Sequence, residues 1–177
     1  MIALLYKRLL QLGKVAGTIT FLFGIPYGLW QYFEKQHESR VEQSLKLFDK
    51  FNTAPMATYR ERISKVVAEN RASLEEAAPD PKAYAVTINR VVEKNDIESS
   101  LWLIMDFFDG VAICVVNRIC DAETVDQLFA ARADDIYITF YQYIMGHRRG
   151  PKSAFALGLE TIATNRSALQ RRESKPR

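Results

Sequence analysis

The sequence predicts an all-α protein, with one N-terminal transmembrane helix continuing into a soluble helical bundle of about five helices. Three observations carry that reading. Residues 15–33, VAGTITFLFGIPYGLWQYF, contain no charged side chain, and at about 1.5 Å per residue such a stretch just crosses a hydrocarbon core of about 30 Å. After it, apolar residues recur three and four apart, the spacing of a helix face, and no stretch alternates as a strand would. Asn- and Pro-bearing breaks then divide the remainder into helix-length pieces.

The segment 1–14, MIALLYKRLLQLGK, mixes apolar and basic positions and reads as an amphipathic lead-in, with Lys7, Arg8 and Lys14 at the headgroup level. Pro26, Tyr27, Trp30 and Tyr32 leave no small-x-small cleavage site, so the span is read as an uncleaved anchor. Within it Ala16, Thr20, Gly24 and Gly28 recur every four residues, and Gly13 and Gly17 form a second such pair. Small residues at that spacing let another backbone approach closely, which predicts a membrane helix packing face. Pro26 predicts a kink. Tyr27, Trp30 and Tyr32 read as interfacial aromatics at the far end of the span.

From Glu34 to Phe51 the helix is expected to run on, with Val41, Leu45 and Phe48 on one face and Leu47 and Phe51 beside it. Asn52 or Thr53 caps a second helix that runs to Ala77 through Met56, Tyr59, Ile63, Val66 and Val67. Ala78-Pro79-Asp80-Pro81 is the clearest break, because each proline disfavours helix just before it. A helix over 82–94 follows, then a stop and new cap at Asn95-Asp96. The segment 97–119 is the most apolar part downstream of the anchor, with Leu101, Ile104, Met105, Phe108, Val111, Ala112 and Val115 in one broad stripe. Glu98, Asp106, Asp109 and Arg118 punctuate it. A charge near a bilayer centre costs roughly 2.5–3.5 kcal/mol, so this is the core helix and not a second span. Asp121 caps a helix over 122–146, and a last helix occupies 152–170 after Gly150-Pro151. The layout is therefore lead-in and anchor over 1–33, helical domain over 34–170, and a basic tail over 171–177 without apolar residues.

Composition narrows the function. A hydrophobic fraction of 48% matches an ordinary soluble domain and excludes a multi-span protein. The net charge of +3 resides entirely in the last seven residues, RRESKPR. The body of the chain is neutral, which argues against nucleic acid as a partner. Cys114 and Cys120 have no CxxC spacing and no companion histidine, so zinc is not expected. On a continuous helix they would lie about 9 Å apart along the axis, too far to bond. They are either two buried apolar cysteines or, if the helix breaks near Asn117-Arg118, a disulfide.

Chemistry-bearing residues are sparse. His37 and His147 lack a Cys, Asp or Glu at ligand spacing. Asp106 and Asp109, three apart on a helix, are read as one solvated carboxylate and one paired with an arginine such as Arg60 or Arg90. No phosphate-cradling glycine loop, nucleophile elbow or HExxH is present, and no cofactor is expected.

The order of parts QYFEKQHESRVEQSLKLFDKFN, TAPMATYRER and LIMDFFDGVAICVVNRICDAETVDQLF resembles a family of bacterial single-span membrane-anchored helical proteins of unknown function. The resemblance covers residues 15–145 and implies the architecture alone, with no activity and no site residues. Lys7, Arg8 and Lys14 before the span nearly balance Lys35, Arg40 and Lys46 after it. The amino terminus tips the balance toward an inside N-terminus and a periplasmic domain at a bacterial inner membrane. The expected partners are membrane lipid and other transmembrane helices, in a homo-oligomer or a membrane complex. The expected role is that of a non-catalytic accessory or scaffold subunit. The alternative is a membrane-tethered ligand sensor or enzyme with a pocket between helices, where Asp106, Asp109, Tyr137 and Tyr141 are the candidates.

Overall fold

The structure, a computed structural model, describes the backbone of residues 2–148 and 154–164, and the side chains of residues 25, 27–148 and 154–164. Among the described residues all regular structure is helical: α1 (Ile2–Asn52), α2 (Met56–Glu69), α3 (Arg71–Ala77), α4 (Pro81–Lys94), α5 (Glu98–Val116), α6 (Ala122–His147) and α7 over 157–164. The chain divides into two compact units, Met1–Arg40 and Val41–Arg177.

The described residues of the first unit are helix alone. Ala16, Thr20 and Gly24 of the small-residue ladder lie outside the described side chains, as does Pro26. Ile25, Tyr27, Leu29, Trp30, Tyr32 and Phe33 are all exposed, between 48% and 61%. At 3.6 residues per turn these six positions point around most of the circumference, not along one face.

The second unit is built on α5. Leu101, Ile104, Met105, Phe108 and Val111 are fully buried, which accounts for the predicted stripe. By length and composition α5 is apolar enough to cross a membrane, but its side chains form the centre of a continuous core shared with every other helix of the unit. It packs against α2 and α6, while α4 packs against α3 and α6.

Several predicted details are corrected. The apolar face at the end of α1 is rotated from the expected one: Leu45 is exposed, whereas Ser44 and Phe51 are completely buried. Ser44 can be buried because its Oγ accepts from the Asp121 amide at 3.0 Å and donates to the Asp121 carbonyl at 3.4 Å. The predicted second helix is two helices. Asn70 separates them, its side-chain amide donating to the Val66 carbonyl at 2.8 Å and so closing the end of α2. Asn52 and Thr53 do not cap α2. Each turns back instead, donating to the carbonyls of Phe48 and Lys50 at the end of α1. Asn95 and Asp96 likewise do not cap α5: Asn95 donates to the Val91 carbonyl and Asp96 adopts φ 50°. The last helix starts later than 152, at 157; the expected extension over 165–170 and the basic tail over 171–177 lie outside the described residues. Asp121 does act as the expected cap, accepting from the Thr124 amide at 2.9 Å. Asp80, expected only as part of a break, caps α4 by accepting from the Lys82 amide at 2.8 Å.

At the end of α5 the helix stops at Val116, and the amides of Ile119 and Cys120 both donate to the Cys114 carbonyl as the chain doubles back through Arg118, φ 57°. That reversal brings the Cα atoms of Cys114 and Cys120 to 5.2 Å and the sulfurs into a disulfide. A bond closing so short a loop is worth about 2 kcal/mol on chain-entropy grounds. The double variant Cys114→Ser/Cys120→Ser is therefore expected to fold and to lose about that much stability in chemical denaturation. An unchanged midpoint would show that the reversal holds itself.

Candidate functional site

A concavity of the second unit lies between the end of α1, α2, α5 and α6, with a volume of about 620 Å³. This falls within the range of small-molecule sites, roughly 300–1,000 Å³. Phe51, Ile63, Ile104 and Phe140, all buried core residues, reach its surface and give it an apolar lining.

Two arginines border it. Arg60, half-buried on α2, lies over the Phe51 ring with its guanidinium carbon 4.3 Å from the centroid. Arg132, exposed on α6, lies over the Phe48 ring at 5.0 Å. Phe48 and Phe51 are three apart on one helix, and both meet Phe129 edge-on, at 5.7 and 5.6 Å. One aromatic cluster thus seats two cations side by side, through attraction of the guanidinium to the ring face. Arg60 Nη1 donates to Asn52 Oδ1 at 3.1 Å, and Arg132 Nη1 to the Leu128 carbonyl at 2.8 Å. Arg60 Nε is buried and meets no acceptor among the described residues. Burial and then the charge of Arg132 pull the Arg60 guanidinium below its ordinary pKa. Glu61 and Asp135 also border the cavity but are exposed. No ion pair joins either to an arginine among the described residues.

The residues expected to line a pocket stand elsewhere. Asp106 is exposed, and Asp109 accepts from the Gly158 amide at 2.6 Å, not from Arg60 or Arg90. Burial raises the Asp109 pKa, and the Asp106 charge adds to that, while the amide bonds from Gly158 and Leu159 and the charge of Arg148 act the other way. Tyr137 and Tyr141 meet edge-on at 5.6 Å. Burial, and then Glu160, push the Tyr137 phenol up to about 12.

These groups belong to a clasp on the C-terminal segment. Arg148 donates to the carbonyls of Phe155 and Ala156 at 2.7 and 3.0 Å and pairs with Glu160. Its guanidinium holds the Glu160 carboxyl below the usual range. His147 sits in a neighbouring cluster: its Nδ1 is 2.9 Å from the Tyr143 carbonyl, and its Nε2 3.8 Å from Glu98. The Tyr143 hydroxyl accepts from Trp102 and donates to Glu98. These bonds use the polar atoms to fix α5 against α6 and the 155–160 segment. No group of metal-ligating side chains stands together among the described residues.

Sequence reasoning missed the Arg60–Arg132 pair. The only signal was that each arginine belongs to a helix with an apolar face. Comparison with protein-family models, with curated proteins and with solved structures gave no match.

Proposed function

We propose that this chain is a single-span membrane protein, anchored through residues 15–33, whose helical domain serves as a non-catalytic accessory or scaffold subunit of a membrane-associated assembly. One observation carries the reading: the exposed apolar and aromatic side chains from Ile25 to Phe33, which cover more than half of the circumference of α1. An exposed apolar surface that wide calls for an apolar surrounding, which lipid and neighbouring spans supply. The ladder Ala16, Thr20, Gly24 and Gly28 supports helix–helix packing there. At Gly28 an added Cβ would meet nothing within 4 Å, leaving its surface open to another backbone. The disulfide supports a domain on the oxidising, periplasmic side of a bacterial inner membrane, since such bonds persist outside the reducing cytosol.

The full chain is expected in the membrane pellet after an alkaline carbonate wash, and released only by detergent. Recovery in the aqueous fraction as a monomer would overturn the anchor. Gly24→Leu is expected to keep the chain in the pellet while abolishing crosslinking to its neighbours; undiminished crosslinking would remove the packing face. A second reading, a membrane-tethered ligand sensor, is favoured by the arginine-bordered cavity of the domain.

A further inference from the structure

We propose that the cavity between α1, α2, α5 and α6 binds an amphiphilic carboxylate, its head held by Arg60 and Arg132 and its hydrocarbon body lying on the apolar lining. The inference deepens the sensor reading and does not depend on the anchor.

The geometry leaves a specific vacancy in hydrogen bonding. In a guanidinium the Nε–H and one Nη2–H are parallel, and together they match the two oxygens of a carboxylate. In both arginines the observed bond uses Nη1, toward Asn52 in one and the Leu128 carbonyl in the other. The Nε–Nη2 edge of each meets no acceptor among the described residues. In Arg60 the cost is explicit, because its Nε is shut off from solvent and has no partner among the described residues. A buried donor left without an acceptor is destabilising, and an acceptor that reaches it is favoured. Arg60 lines the cavity, so a carboxylate seated there is the acceptor this edge lacks within the described chain.

Charge points the same way. Two guanidinium groups gathered on one aromatic cluster repel each other, and no carboxylate of the described chain is paired with either. An anion between them relieves the repulsion. Glu61 and Asp135 at the border disfavour a multiply charged head, which selects a carboxylate over a phosphate monoester. The remaining lining, with Ile63, Ile104, Ile136 and Phe140, offers an alkyl or aryl body a surface from which to displace water.

The test uses isothermal titration of the full chain, in phosphatidylcholine nanodiscs with the heats of empty discs subtracted or, should the chain prove water-soluble, in buffer. The probes are 4-phenylbutanoate, 4-phenylbutanol, acetate and dodecanoate. Saturable binding of 4-phenylbutanoate is expected, with the alcohol and acetate each weaker by at least about tenfold. Arg60→Gln and Arg132→Gln should each weaken the acid by about tenfold or more without changing the affinity for the alcohol. Ala57→Phe, which adds bulk to the lining and leaves both arginines in place, should block both; it keeps the test decisive if an arginine variant fails to fold. Tighter binding of dodecanoate than of 4-phenylbutanoate assigns a lipid-derived acid, and the reverse order a water-soluble one. Equal affinity for acid and alcohol, full affinity in a folded Arg60→Gln variant, or no saturable binding by about 10 mM would overturn the proposal.

Discussion

Phe51→Ala is expected to remove about 3–5 kcal/mol of folding stability, the upper range for a buried aromatic. The ring is completely buried. It stacks on Phe107 at 5.1 Å, meets Phe108 and Phe129 edge-on at 5.4 and 5.6 Å, and carries the Arg60 guanidinium on its face. Each favourable aromatic pair adds about 0.5–1.5 kcal/mol beyond the area it buries. Truncation would leave a void bounded by rings that are themselves locked by their neighbours, so collapse into it is limited. Against a total of about 5–15 kcal/mol, the loss places the variant near the threshold of folding. Phe51→Leu keeps most of the volume and should lose clearly less. Thermal unfolding of the full chain, followed by circular dichroism, ranks the two. Equal stability of Phe51→Ala and the parent chain would mean that the end of α1 is not part of the cooperative core.

The second large effect is expected at Gly158. A methyl group there would stand 2.4 Å from the Asp109 Cα and 2.7 Å from the Phe108 carbonyl oxygen. Those are backbone atoms of α5 and cannot swing aside as a side chain would. Gly158→Ala must therefore push α7 off the core. That breaks the Gly158–Asp109 hydrogen bond and uncovers Leu159, Ile162 and Ala163, all buried in the parent. Overpacking of this kind costs about 1–3 kcal/mol, and the lost bond to the half-buried Asp109 carboxylate raises it toward the top of that range. The expected signature is local: limited proteolysis should cut first within 154–164, before the midpoint of global unfolding moves as far. Asp109→Ala removes the same bond without the clash and should give a smaller loss. A Gly158→Ala variant as resistant as the parent would show that the two helices have room to separate.

How much of this was legible in the sequence depended on how local the cause was. The core face of α5 could be read directly, because a stripe of Leu101, Ile104, Met105, Phe108 and Val111 has only one way to face a core on a helix. The cap at Asp121 was local too. The end of α2 at Asn70 was missed because no proline or glycine marks it, and only a side-chain bond to a carbonyl four residues back does so. Ser44 was misplaced for a longer-range reason, since its burial is allowed by a backbone partner at Asp121. One of Asp106 and Asp109 was expected to meet an arginine, but the partner of Asp109 is an amide N–H, which leaves no trace in the pattern of side chains. The Arg60–Arg132 pair combines both difficulties. The two residues sit on different helices, and only the shared Phe48, Phe51 and Phe129 cluster brings them together.

The long sequence separation between Phe51 and its partners has a consequence in time. Phe51 leaves the ribosome well before Phe107, Phe108 and Phe129, the rings that cover it. At about 5–20 residues per second, roughly 4–16 seconds of synthesis separate Phe51 from Phe129. During that interval the nascent chain displays a sticky aromatic segment with no native cover, which is where a holding chaperone would find its grip. The domain closes only when the beginning of α6 arrives to complete the ring cluster and to supply the amide that Ser44 awaits.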